Sequence, residues 1–257
     1  MDPNTTIEEV LQRTTARFDH MESFESQTTF PCIRRGTNGK PTTVALFHIF
    51  YSSSPKFPNQ EYKPIPLQVQ GNSWHLSIKL TEDAETLKSV ISALQCGKAA
   101  ANAYISTDFP QNISLKGCSL GLAVWAAVMY LSPSHVFTGW VSEYGMTGGD
   151  FPGTIPVGPV QGTEEKISYC VTKGKPIFIS SATINKSEDP ELDLREADGQ
   201  FYSFDKFVKG IPFSSRIHRA IVCSSTAEVV LLDLVIQAQQ SLNQQLTSSR
   251  KTKREDE

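Results

Sequence analysis

A serine flanked by glycines, Gly117-Cys118-Ser119-Leu120-Gly121, opens a long apolar run. Lys166 follows it in Val157-Gly158-Pro159-Val160-Gln161-Gly162-Thr163-Glu164-Glu165-Lys166. A serine hydroxyl attacks a carbonyl when a nearby base takes its proton, and a neutral lysine amine can be that base. The glycines permit a tight turn ahead of a helix, whose first amides have no partner inside the helix. The amides of Ser119 and Leu120 can thus hold a developing oxyanion, worth roughly 3–4 kcal/mol per donor in acyl-transfer sites. The competing use of Ser119 is as a plain helix cap. Cys118 is a second candidate nucleophile, but no histidine lies near it in sequence and free cysteines are usually buried.

Lys166 is expected in the first turn of a helix capped by Thr163. The positive end of the helix dipole disfavours an ammonium there, and burial against Ile167, Cys170 and Val171 acts the same way. A base useful near neutrality needs its pKa lowered by about 3, or roughly 4 kcal/mol against the charged form. The alternative is a solvated surface lysine beside Glu164 and Glu165.

The elements that must position this pair are legible in outline. Thr6-x-x-Glu9 opens a short N-terminal helix, and residues 19–40 read as aperiodic linker, so the domain is expected to begin near Pro41. Thr43–Tyr51 is strand-like. Leu67–Gln70 and Trp74–Leu80 flank a Gly71-Asn72 turn as a hairpin. A helix capped by Thr81 is expected to run to about Tyr104, a short strand to cover Asn112–Leu115, and a buried helix to cover Leu120–Leu131. Val136–Ser142 reads as a strand, Tyr144–Ile155 as a glycine-rich loop, Thr163–Gly174 as a helix and Ile177–Ile179 as a buried strand. Residues 184–200 read as an exposed acidic insertion, Ala220–Val222 as a core strand, and Ser225-x-x-Glu228 as the opening of an amphipathic helix. The order is that of a mixed α/β domain spanning 41–247, preceded by a helix and linker over 1–40 and followed by a disordered charged tail over 248–257.

Composition narrows the functional classes. A net charge of −3 and a pI near 6.0 leave no basic excess for binding nucleic acid. Leu120–Leu131 is too short to span a bilayer, and Met1–Val10 is polar and acidic, unlike a secretory leader. Five scattered cysteines without a CxxC pair fit reduced thiols and a cytoplasmic setting. His20, His48, His75, His135 and His218 are dispersed without HExxH spacing, so neither a metal nor another cofactor is expected. Gly36-Thr37-Asn38-Gly39-Lys40-Pro41 lacks the spacing of a phosphate-binding loop, so no ATPase motor is expected.

Taken together, these segments resemble the proteolytic domain of Lon-type proteases, and in style the ATP-independent Ser–Lys proteases of birnavirus polyproteins. The resemblance rests on Ser119-Leu120-Gly121 before an apolar helix, a strand ending in Phe137-Thr138-Gly139, the Val157–Gly162 strand end, and Glu165-Lys166 on a helix before Pro176–Ile179. It covers roughly residues 41–240. It implies a single Lon-like domain with Ser119 as nucleophile, Lys166 as general base and Thr138 orienting the amine, supported by Gly117 and Leu120. It also implies a peptide or protein substrate, its own polyprotein included, in the host cytoplasm if the source is viral; a homo-oligomer stays open. Cys118 stands where many members carry proline, and Trp140 where the cellular members carry an acid.

Two other classes compete. Gly117-x-Ser119-x-Gly121 also satisfies the nucleophile-elbow pattern of α/β-hydrolases, with Asp205 and His218 in the right order for a triad. A Lon-like fold with a degenerate dyad would instead be a binding or assembly module.

Overall fold

The computed structural model describes residues 25–36, 39–53, 64–141, 155–185, 201–202 and 220–237 except 235, together with residues 241 and 244. The expected N-terminal helix, most of the 144–155 loop, the acidic insertion beyond residue 185 and the charged tail lie outside the described residues.

In chain order the elements are β1 (Glu25–Arg35), β2 (Pro41–Ser52), β3 (Ile65–Val69), β4 (Asn72–Leu76), α1 (Ala84–Cys96), β5 (Tyr104–Thr107), α2 (Gly121–Val128), β6 (Val136–Phe137), β7 (Trp140–Val141), β8 (Val157–Gly158), α3 (Thr163–Thr172), β9 (Ile177–Ser180), α4 (Ser181–Asn185), β10 (Phe201–Tyr202) and β11 (Ala220–Cys223). A last helix, α5, covers 226–234. The fold is mixed α/β. One nine-stranded sheet has the order β10-β11-β9-β6-β1-β2-β5-β4-β3, and β7 and β8 form a separate pair. β1 and β2 are an antiparallel hairpin near the middle of the large sheet, whereas β1–β6, β6–β9 and β9–β11 are parallel.

Side chains on successive strand residues point to opposite faces, and here each face meets a separate core. Phe137, Phe178, Ile221 and Cys223 join residues of α1, α2 and α5. Val136, Ile177, Ile179, Ala220 and Val222 join Ile167 and Cys170 of α3. A sheet covered on both sides needs apolar residues at every position, which is why Ile177–Ile179 and Ala220–Val222 read as unbroken apolar runs. All eight residues of α2 are buried, which accounts for its lack of a polar face. The final helix opens on a capping box in which Ser225 Oγ accepts the Glu228 N–H and Glu228 Oε2 accepts the Ser224 N–H.

Several expectations need correction. The supposed linker contains β1, so the sheet begins at Glu25, ahead of Pro41. The first long helix is capped by Asp83 rather than Thr81, its carboxylate accepting the Thr86 N–H, and it ends at Cys96. Beyond it Lys98 turns left-handed at φ 52°, and Tyr104 already belongs to β5. Asn112–Leu115 forms no strand; the buried Lys79 ammonium instead pins this stretch by donating to the Ile113 carbonyl at 2.9 Å while pairing with Glu82. The expected Val136–Ser142 strand breaks at Thr138-Gly139, since Thr138 N–H donates to the Phe178 carbonyl while Gly139 N–H turns to that of Ser119. No helix among the described residues is long and apolar enough to cross a membrane.

Phe178 is fully buried and stacks on Phe137 with ring centroids 5.0 Å apart. Phe178→Ala is expected to lower stability by about 3–5 kcal/mol, read from urea unfolding. A loss below about 1 kcal/mol would contradict its full burial in the core.

Candidate active site

The Ser119 turn, the Thr138-Gly139 break and the helix of Lys166 come together where β6 stops. β1 runs on to Arg35, but β6 ends at Phe137, having paired with β1 at Thr29–Val136. A crevice at the carboxyl ends of parallel strands is where open α/β sheets generally place their ligands. The Gly139 N–H donates to the Ser119 carbonyl at 3.1 Å, and the Leu122 N–H donates to the Gly139 carbonyl at 3.0 Å. This reciprocal pair fastens the serine turn directly beside Thr138.

Thr138 shares strand parity with Val136, so its side chain points toward the α3 face. There Lys166 Nζ donates to Thr138 Oγ1 at 3.2 Å. Both groups are enclosed, Thr138 being 0% and Lys166 3% exposed. Burial pushes the Lys166 pKa down from 10.5 to about 8. Cys32 and Cys118 flank the amine, but burial raises both thiols, Cys32 to about 12. At neutral pH they are uncharged and do not oppose the effect. Glu165 opposes it and Arg35 reinforces it, each less than burial does. Lys166 is also in the opening turn of α3, its N–H making the first bond back to Gly162 at 3.3 Å. The helix dipole there further disfavours positive charge.

The cap of α3 is Gly162, not the expected Thr163. Gly162 adopts φ +67°, and a Cβ on it would lie 2.1 Å from Ile33 Cδ1. The left-handed backbone favours glycine here, and a side chain would also have to displace the tip of Ile33. The Thr163 hydroxyl turns back to the Val160 carbonyl at 2.8 Å.

Ser119 is partly exposed, and its hydroxyl is not consumed as a helix cap. Leu120 holds the cap position of α2, with no side-chain capping bond. Among the described residues the amides of Ser119 and Leu120 donate no backbone hydrogen bond, leaving two donors beside the hydroxyl at a helix start. The Lys166 hydrogen bond ends on Thr138, and none joins its Nζ to Ser119 Oγ. In unliganded sites such contacts are often long and tighten only around substrate.

Ser119, Gly117 and Leu120 lie in one turn, and Lys166 is bonded to Thr138, whose neighbour Gly139 is bonded to the Ser119 carbonyl; no side-chain hydrogen bond joins Lys166 to Ser119. Missed in the sequence were Cys32, hidden in the supposed linker, and Asp83, Thr86 and Ser89 on α1, which grip the turn from the other side. Their i, i+3, i+6 spacing was the available signal. Of the histidines, His48 pairs with Asp108 at 2.7 Å, His75 stacks on Tyr104, and buried His135 pairs with Asp233 at 2.7 Å. His20, His218 and Asp205 lie outside the described residues. Among the described residues no group of three or more His, Cys, Asp or Glu side chains could hold a metal ion. In comparison with known proteins, no family model and no curated protein matches the chain.

A lysine with a folded-state pKa near 8 and an unfolded value of 10.5 binds its proton more readily in the unfolded chain between those limits. Stability must then rise with pH across that window, and at pH 7 the buried amine costs up to about 3 kcal/mol. Lys166→Met is expected to be more stable than wild type at pH 7, with the advantage shrinking by pH 10. Urea unfolding at both pH values reads this; a pH-independent difference would contradict a depressed lysine pKa.

Proposed function

We propose that this protein is an ATP-independent serine endopeptidase of Lon-like type, working through a Ser119–Lys166 dyad on flexible peptide segments, including those of a polyprotein that carries it. The observation that supports this most is the buried Lys166 amine, biased toward its neutral form and held by Thr138, whose neighbour Gly139 is bonded to the Ser119 backbone.

Neutral Lys166 takes the Ser119 proton as the hydroxyl oxygen attacks the scissile carbonyl. The freed amides of Ser119 and Leu120 receive the oxyanion. The lysine, now an ammonium, gives its proton to the departing amine and releases an acyl-enzyme. Neutral again, it deprotonates the water that hydrolyses the ester. Thr138 holds Nζ in one place through the cycle and accepts one of its hydrogens, leaving the nitrogen lone pair for the serine.

One observation favours a second reading, a Lon-like fold kept as a binding module: the lysine bond ends on Thr138 and not on the serine. Covalent labelling of Ser119 by a fluorophosphonate separates the two, since a binding module stays unlabelled.

Cleavage of fluorescein-labelled casein is expected to be lost in Ser119→Ala and in Lys166→Met, with circular dichroism unchanged. In the wild type kcat/KM is expected to rise about tenfold from pH 7 to pH 9, tracking the neutral fraction of an amine with pKa about 8. Equal cleavage by all three proteins would rule out the dyad.

A further inference from the structure

The serine turn is held on the side away from Lys166 by a polar strip on α1. Asp83 Oδ2 accepts the Gly117 N–H at 3.1 Å while also capping α1 through the Thr86 N–H at 3.0 Å. Thr86 Oγ1 lies 3.0 Å from the Gly117 carbonyl and 3.0 Å from Asp83 Oδ2, so its single proton serves one of them at a time. One turn further on, Ser89 Oγ donates to the Cys118 carbonyl at 2.9 Å. Residues three and six apart share a helix face, and that face is aimed at the two residues preceding Ser119.

Ser89 carries the most information of the three. It is 4% exposed, and its hydroxyl has one partner among the described residues, the Cys118 carbonyl. The peptide plane that contains this carbonyl also contains the Ser119 N–H. Fixing the Cys118 oxygen therefore fixes the direction of the amide expected to meet the oxyanion, because the peptide unit is planar and its N–H points opposite to its C=O. The same carbonyl accepts the Gly121 N–H at 3.1 Å. Two donors thus converge on one oxygen and restrain rotation of that peptide. A Cβ at Gly121 would lie 2.2 Å from Ser89 Oγ. The glycine of the Ser-x-Gly pattern is thus the residue that admits the Ser89 hydroxyl.

We infer that Ser89 is a positioning residue for catalysis: its bond to the Cys118 carbonyl aims the Ser119 amide at the oxyanion, and Gly121 is glycine to make room for that bond. This rests on the Ser–Lys reading of the site. Asp83 and Thr86 anchor the preceding residue in support.

The test compares full-length wild type, Ser89→Ala, Ser89→Thr, Gly121→Ala, the double variant Ser89→Ala with Gly121→Ala, and Ser119→Ala. Three readouts are taken: kcat and KM on fluorescein-labelled casein, thermal unfolding, and hydrogen exchange of the amides over 117–121. Ser89→Ala is expected to lose about 10- to 100-fold in kcat, as misaligned groups do, with KM within about twofold. Exchange over 117–121 should quicken while the Tm moves by only a few degrees. Ser89→Thr, which keeps the hydroxyl, should recover most of the rate. Gly121→Ala should be clearly destabilised, and adding Ser89→Ala should restore its Tm but not its kcat, because the colliding oxygen is gone along with the bond it made. Wild-type kcat and unchanged exchange in Ser89→Ala would overturn the inference. Should Ser119→Ala cleave as fast as wild type, the dyad reading fails by itself. The exchange and Tm pattern then decides whether Ser89 fixes the turn: quickened exchange with Tm rescue supports it, and neither overturns it. Should Ser89→Ala fail to fold, Thr86→Val against Thr86→Ser gives the same comparison at the Gly117 carbonyl.

Discussion

Lys166 keeps its amine inside the protein, hydrogen-bonded to the Thr138 hydroxyl at 3.2 Å. A charge in that setting is costlier than a neutral amine, so burial shifts Lys166 toward the basic form. The rest of the architecture can be read as the means of holding this arrangement. The sheet must be covered on both faces, because α3 has to press Lys166 down from one side while α1 and α2 bring the serine turn from the other. β6 pairs with β1 only at Thr29–Val136, and beyond Phe137 the chain turns to bond the serine segment through Gly139.

The meeting is made by backbone more than by side chains. Gly139 exchanges hydrogen bonds with Ser119 and Leu122, Thr138 bonds to Phe178, and Lys166 bonds to Gly162, which is itself pressed on Ile33. Each contact ties the site to a core strand or to the start of a buried helix. A main-chain framework of this kind tolerates varied side chains, provided that glycine is kept where the chain turns left-handed or another group comes close. Pro31 fits the same scheme: it has no N–H to donate, and it lies on β1 beyond the Thr29–Val136 pairing, where β6 is departing.

The legible and illegible parts of the sequence divide along physical lines. The turn before α2, the apolar runs of β9 and β11 and the helix of Lys166 announced themselves through unbroken hydrophobicity or a conspicuous glycine pattern. β1 did not, because both its faces are buried over residues 28–31, where Thr28, Thr29 and Pro31 break any two-residue period. The expected helix runs past the end of α1 because Ala99, Ala100, Ala101 and Ala103 follow it, although the C-cap Gly97 is a stop signal in the sequence. Thr163 passed for a cap by residue type, whereas the contact of Gly162 with Ile33 is long-range and invisible in the chain. The polar strip on α1 was passed over because Asp83, Thr86 and Ser89 look like ordinary helix-surface residues until Gly117 and Cys118 are laid against them.

The most direct test of the whole account is the titration of Lys166 itself. Protein labelled with 13C at lysine Cε, compared with its Lys166→Met counterpart to assign the signal, can be followed by NMR from pH 6 to pH 11. The one resonance missing from the variant is expected to titrate near pH 8, below the exposed lysines. A resonance that titrates with them, near the ordinary lysine value of about 10.4, would mean a solvated ammonium and would contradict the assignment of Lys166 as a base.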